Sequence, residues 1–358
     1  MELLTLIIPT RNRPRFLERA LEYYGRQRLR CPVLVVDSSD ERLERAAASA
    51  PSMGNGVEVR WREAPPRTSL TDKLAQVAGM IETPYVVIGS DDDFFVPQAL
   101  AQAVTFLEAH QDYSAAHGTA ALFALRSGTV HGPIAWVSEY RQRTLQASRP
   151  SRRLLAHLRS YMTTWYSVQR TADWREHVRS AARLELDAYF SEVLQSGLSV
   201  VCGRIKKLKG LYMARQAHGD QETNRSPQDF FEWFAGPRWA EQCRRVRDRL
   251  ALSLTQHEGL TSTEAQHVAE QALWRYQMMR GAQAEREAAR RVSDTMADAR
   301  LVWRRLRWAV ARASSSLSLK MMTRRGSTYY DAFRPIYQTM TEGPSASEAM
   351  PVGAESRC

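Results

Sequence analysis

Four short runs rich in Val, Ile and Leu recur early in the chain: LLTLIIP at 3–9, VLVVD at 33–37, VEVRW at 57–61 and YVVIG at 85–89. Stretches of helical periodicity lie among them, notably 14–28 and 70–82. This alternation is the strongest constraint on the fold. Strands that are apolar along their length must be covered on both faces, and helical connections between them make the neighbouring strands parallel. An α/β domain with a mostly parallel central sheet is therefore expected. With 358 residues and 44% hydrophobic composition, the chain can bury a sizeable core and carry a large appendage.

The fourth run ends abruptly. In VIGSDDDFFVP, residues 87–97, an apolar strand gives way to Asp91, Asp92 and Asp93, followed at once by Phe94 and Phe95. Ligands of open parallel sheets bind beyond the carboxyl ends of the strands. Two like charges about 4 Å apart repel by roughly 4 kcal/mol at an intermediate effective dielectric. Three adjacent carboxylates at a partly enclosed strand end thus require a counter-charge, and a divalent cation is the expected one, Mg2+ or Mn2+ from the hardness of the oxygen ligands. The competing reading is a solvated turn, with Asp93 capping a helix that starts near Pro97.

Downstream the pattern loosens after Gly118. A helical segment is expected at 150–162, one amphipathic stretch over 176–200, a strand in GRIKKLKGLYMARQ, and helices from 237 to about 312. The last residues, EGPSASEAMPVGAESRC, have the composition of a disordered tail. The net charge of +11 is unevenly spread: residues 236–340 hold 19 basic against 10 acidic residues, residues 1–235 hold 30 against 26. Cys31, Cys202, Cys243 and Cys358 are widely separated and form no CxxC pair, so neither a zinc site nor a disulfide framework is expected. With no run of eighteen apolar residues and an opening, MELLTLIIPTRNRP, that lacks a basic leader and cleavage site, a cytoplasmic protein is expected.

Taken in order, LTLIIPTRNRPRFLERALEYY, VLVVDSS and TPYVVIGSDDDFFVPQAL, followed by YSVQRT at 166–171 and GRIKKLKGLYMARQ at 203–216, resemble glycosyltransferase family 2, the inverting enzymes of GT-A fold. The resemblance covers about residues 3–220 and implies an α/β, GT-A type nucleotide-diphosphate-sugar-binding domain with a nucleotide-sugar-binding half (1–118) and an acceptor-binding and catalytic half (119–236). The basic helical C-terminal region (237–340) has no counterpart in that resemblance and, like the disordered tail (341–358), is read from periodicity and composition.

The site residues that it implies are these. Pro9, Thr10 and Arg11 lie against the nucleoside, Asp37 accepts hydrogen bonds from the base, and Lys73 approaches the diphosphate or orients Asp91. Asp91 lies near the ribose, and Asp92 or Asp93 binds metal. Arg215 neutralises phosphate and His218 is a further metal ligand. The general base is an acidic residue eleven or twelve positions before a strand-opening glycine: Glu192 if that glycine is Gly203, Glu185 if it is Gly197. On one continuous helix the two differ by only about 20° around the axis. Trp165 and Tyr166 form a candidate stacking platform for an acceptor sugar.

The implied reaction is metal-dependent transfer of a sugar from a nucleotide-diphosphate donor to a hydroxyl on a glycan, lipid-linked or protein acceptor, with no nucleic acid involved. Two rivals stand beside it. A sugar nucleotidyltransferase calls for a glycine-rich basic loop after the first strand, and PTRNRPRF has the arginines without the glycine. A nucleic-acid-binding or scaffold protein built on the Arg-rich helices lacks the interleaved aromatic strands of single-strand binders. LVWRRLRWAVARA has a composition suited to peripheral contact with anionic lipid, with packing or self-association through the C-terminal helices preferred.

Overall fold

The computed structural model describes residues 3–40, 57–127, 129–219, 230–293 and 317–342, with side chains of 287–293 excepted. The segment LVWRRLRWAVARA and residues 343–358 lie outside the described residues.

Strands β1 (Leu4–Thr10), β2 (Val33–Asp37), β3 (Val59–Glu63) and β4 (Tyr85–Ile88) run parallel in the order β3-β2-β1-β4. Their apolar runs are explained by burial: every residue of β2 and β4 is buried, as are nearly all of β1. Helix α1 (Pro14–Arg26), with Pro at its first position, connects β1 to β2, and α2 (Leu70–Val77), capped by the Ser69 side chain on Asp72 N, leads to β4. Because β2 and β4 flank β1 on opposite sides, the chain reverses direction across the sheet between β1 and β4. That reversal opens a crevice at the carboxyl ends of these two strands. Gly89 follows β4 at a tight place, since a Cβ there would meet the Leu6 side chain at 3.1 Å and the Phe95 ring at 3.2 Å.

The sheet continues through β8 (Val168–Arg170), β6 (Tyr113–Leu125) and β9 (Arg204–Gln216) to the short β5 (Phe94–Phe95), and β7 (Ile134–Tyr140) pairs with the distal half of β6. β8 is antiparallel to both β4 and β6, while β6 and β9 are parallel. Strand β6 runs through Gly118, so the two halves drawn from the sequence share one strand and one sheet. The Phe94–Phe95 pair is itself a strand: both rings are fully buried, and Phe94 and Phe95 register against Ala214 and Met213. This pairing brings the end of β9 beside the acidic triplet. Helix α3 (Pro97–Ala109) follows, so it starts at Pro97 as expected.

Helix α4 (Pro150–Arg159) starts where expected, but the stretch read as a single helix over 176–200 is two: α5 (Thr171–Arg183) and α6 (Ala188–Cys202). The break lies at 184–187, where Glu185 takes a left-handed φ of 50° and Asp187 caps α6 by accepting from Phe190 N at 2.8 Å.

The C-terminal region packs in two places. Helices α7 (Phe230–Phe234), α8 (Trp239–Glu258) and α9 (Ser262–Ser293) form a second core with α4 and α6 around Leu154, Leu194, Leu198, Leu250, Leu273 and Tyr276. Helices α10 (Leu319–Thr323) and α11 (Tyr330–Glu342) return to the main core, where Met322, Phe333, Ile336 and Met340 join Leu17, Phe94 and Phe123. Among the described residues no helix is long and apolar enough to cross a membrane.

Candidate active site

At the crevice, Thr10 and Asp37 are register partners at the ends of β1 and β2. Asp37 Oδ1 accepts from Ser39 N at 2.9 Å and from Ser39 Oγ at 2.6 Å, which fixes the carboxylate at the strand end. Lys73, buried on α2, donates Nζ to the Thr10 carbonyl at 3.1 Å, while the Thr10 hydroxyl donates to Asp91 Oδ2 at 2.7 Å. Lys73 therefore supports Asp91 through Thr10. Pro9 and Arg11 flank Thr10 at the mouth, half-buried, and Arg11 Nε is a buried donor with no protein partner.

The acidic triplet is enclosed: Asp91 and Asp92 are 3% exposed and Asp93 is wholly buried. A counter-charge is present, as electrostatics requires, and it comes from arginine. Arg13, the residue preceding α1, places Nη2 2.7 Å from Asp91 Oδ1 and 2.6 Å from Asp92 Oδ2. Arg215 Nε lies 3.0 Å from Asp93 Oδ2, and Gln216 N donates to the other oxygen at 3.2 Å. Arg19, itself 1% exposed, donates to the Asp92 carbonyl at 3.3 Å and to Gln216 Oε1 at 2.8 Å. Burial pushes the Asp91 and Asp93 carboxyls up, reinforced by their neighbour Asp92 and opposed by the arginines. Asp92 is also buried, yet His218, Arg13 and Ser90 bring it well below the usual carboxylate range.

His218 Nε2 is 2.8 Å from Asp92 Oδ2, and its ring stacks on Phe16 with centroids 4.8 Å apart. The Arg13 guanidinium lies over the same Phe16 ring, 4.7 Å from its centroid. Donor chemistry suited to a divalent cation is present at Asp92 and His218, a carboxylate and an imidazole in contact at the crevice, with Asp93 beside them. The two oxygens of Asp93 are held by Arg215 Nε and Gln216 N, and those of Asp92 by Ser90 Oγ at one oxygen and by Arg13 and His218 at the other. Among the described residues no cluster of three or more His, Cys, Asp or Glu side chains is arranged to hold an ion.

On the opposite side, the Arg215 guanidinium lies over Tyr166 at 4.2 Å and Tyr140 at 4.7 Å. Tyr166 thus stacks on a protein cation. Trp165 belongs to a separate apolar cluster with Leu74, Trp174 and Val178, at 8% exposure, and the platform expected from these two aromatics is not formed. Glu192, on α6, accepts from the Tyr161 hydroxyl at 2.8 Å. Burial raises its carboxyl, and Tyr161, Arg215 and Arg280 draw it back. Arg215 therefore acts on both Asp93 and Glu192. Glu185 is exposed in the turn before α6, so the shared helical face that made it an alternative to Glu192 does not exist.

Arg13, Phe16 and Arg19 were not singled out by the sequence reading. Their three-residue spacing at the start of α1 was the available signal, since residues three apart are neighbours along a helix. Gly203, by contrast, has a demonstrable reason: a Cβ there would stand 2.5 Å from Ser114 N.

The chain is similar to S. aureus TarS residues 1–349 in complex with UDP-GlcNAc, at 13% identity, with a TM-score of 0.51 over 76% of this chain and 72% of that one. The fold is GT-A. Less closely superposed are a mannosyltransferase from Pyrobaculum calidifontis in complex with GDP-Man and Mn2+ (16% identity, 86% and 80% of the two chains, TM-score 0.41) and glucosyl-3-phosphoglycerate synthase from Mycobacterium tuberculosis in complex with phosphoglyceric acid (14%, 73% and 81%, 0.36). No protein-family model matches the sequence, and no curated protein matches it. In this GT-A domain the crevice between β1 and β4 carries the acidic triplet, and β9 supplies the residues facing it.

Proposed function

We propose that this protein is a metal-dependent inverting glycosyltransferase that moves a sugar from a nucleotide-diphosphate donor to a hydroxyl acceptor in bacterial surface glycan or glycoconjugate synthesis. One observation carries the reading: the end of β9 brings Arg215 and His218 onto the acidic triplet, while the Glu192 carboxylate lies within the field of that same Arg215. The acidic crevice and the half-buried carboxylate of Glu192, its pKa raised, thus face the same cation, which sets a candidate general base beside the candidate donor site.

In this reading residues 1–118 bind the nucleotide sugar and residues 119–236 bind the acceptor. The nucleoside lies against Pro9, Thr10 and Arg11, where the unpartnered Arg11 Nε offers a donor, and Asp37 accepts N–H groups of the base. Asp91, held by Thr10 and Lys73, meets the ribose. Asp92 or Asp93, with His218, would hold Mn2+ or Mg2+, which would offset the charge that develops on the departing diphosphate. Arg13 remains beside Asp91 and Asp92 as a fixed positive charge facing the phosphates. Glu192 takes the proton of the acceptor hydroxyl. The freed oxygen pair forms the bond to the anomeric carbon as the carbon–oxygen bond to the diphosphate breaks on the opposite face, and the nucleoside diphosphate leaves with that pair.

The test is donor hydrolysis over a panel of UDP- and GDP-sugars, with and without manganese, for the native chain, Asp92→Ala and Glu192→Gln. Manganese-dependent turnover of at least one donor is expected. Glu192→Gln should lose about 100-fold or more in turnover while still binding donor. Absence of turnover for every donor would overturn the proposal.

A further inference from the structure

We propose that Tyr161 is the residue that positions Glu192 for proton abstraction, and that the C-terminal helix α9 holds Tyr161 in place through Tyr276. The inference rests on the reading of Glu192 as the base and adds the group that aims it. Tyr161 lies in the segment between α4 and β8, and its hydroxyl stands 2.8 Å from Glu192 Oε1 and 3.2 Å from Ser196 Oγ. Glu192 and Ser196 are four residues apart on α6, one turn of the same face.

The proton inventory decides the direction of this chain. Ser196 Oγ already accepts from Thr164 N at 3.2 Å. A tyrosine hydroxyl has a single proton, and an ionised carboxylate can only accept. The Tyr161 proton therefore goes to Glu192 at the shorter contact, and the Ser196 hydroxyl turns its own proton toward Tyr161. The run from Thr164 N–H through Ser196 and Tyr161 to Glu192 gives each hydroxyl one donor and one acceptor role, an arrangement in which the members polarise one another. It engages Oε1 and leaves Oε2 for the acceptor hydroxyl.

Tyr161 is held from two sides. The His157 ring of α4 lies 5.2 Å from it, and the buried Tyr276 ring of α9 meets it edge-on at 5.1 Å. The charged and titratable groups that act on Glu192 are Tyr161, Arg215 of β9, Arg280 and Tyr276 of α9, Tyr140 of β7 and Tyr166. Of these, the hydrogen bond to Glu192 comes from Tyr161. Helix α9 is thereby part of the acceptor side and not an accessory to it.

The decisive experiment is a carbon-13 NMR titration of the full chain labelled at the glutamate δ-carbons, with the Glu192 signal assigned by its loss in Glu192→Gln. Tyr161→Phe is expected to raise the Glu192 pKa by roughly one unit, because a hydrogen bond to the charged form is removed while the ring stays. Ser196→Ala should move it in the same direction by less. In manganese-supported donor hydrolysis, Tyr161→Phe should lower kcat between about 10-fold and 100-fold with donor KM unchanged, and the acidic limb of the pH profile should move up with the NMR value. Tyr276→Ala should lower kcat in the same way. An unchanged Glu192 titration in both Tyr161→Phe and Ser196→Ala would overturn the proposal. Turnover that survives Glu192→Gln would instead overturn the reading of the base, and the proposal with it, a result distinct from an unmoved NMR titration.

Discussion

Arg215 and Asp93 form an enclosed ion pair, Nε to Oδ2 at 3.0 Å, between the last strand of the sheet and the loop after β4. Asp93 is wholly buried, and Arg215 is closed in by Tyr140 and Tyr166. The pair joins the donor crevice to the side of the site that carries Glu192.

Removing the cation should therefore damage stability before chemistry is considered. Arg215→Ala leaves a buried carboxylate without its partner, and about 3–5 kcal/mol of unfolding free energy should be lost in a urea titration. Arg215→Lys should recover only part of this, because an ammonium cannot both reach Asp93 and lie flat over Tyr166. A native midpoint in Arg215→Ala would show that Asp93 is not charged in the folded chain.

Ligand linkage gives a second test. UDP or GDP at about 100 times its dissociation constant should stabilise the fold by about 2.7 kcal/mol. The rise in melting temperature should require manganese or magnesium and should be absent in Asp92→Ala and His218→Ala. A metal-independent rise that persists in both variants would mean that Arg13 alone serves the phosphates.

Acid should destabilise the protein through three buried histidines. His117, His157 and His177 are each held by burial to about 3, far below the ordinary value near 6.5. Between those values the unfolded chain binds protons that the folded chain does not. The associated stability is complete above about pH 6.5 and falls as pH drops toward 3, at roughly 1.4 kcal/mol per pH unit for each group. His157→Leu should flatten the stability profile in this window by one group. An unaltered slope in chemical unfolding from pH 6.5 to 4.5 would count against it.

The terminal helix should behave as core of the GT-A domain. Phe333 of α11 is fully buried with residues of α1 and of the sheet. Phe333→Ala should cost about 3–5 kcal/mol in the same cooperative transition that the sheet undergoes, read by near-ultraviolet circular dichroism. A separate early transition would show that α11 is an independent unit.

What the sequence by itself determined is local. The parallel direction of the first strands, the helices at Pro14, Leu70 and Pro97, and the end of β4 at the acidic triplet follow from periodicity, proline placement and capping, each written in a few consecutive residues. The same reasoning failed at 184–187, where a continuous amphipathic pattern hid the Asp187 cap and with it the displacement of Glu185 from the Glu192 face. It also demanded a counter-charge for Asp91, Asp92 and Asp93 and named a divalent cation, without finding the arginines that face them. Only the tertiary structure decided that Arg13 faces two of them, that Arg215 claims the third, and that His218 reaches Asp92 across 126 positions. Those partners depend on strand order β1-β4-β8-β6-β9-β5, in which distant segments become neighbours through the burial of a whole sheet. No local pattern encodes such an order, because burial fixes which surfaces must meet something apolar and leaves open which segment meets them.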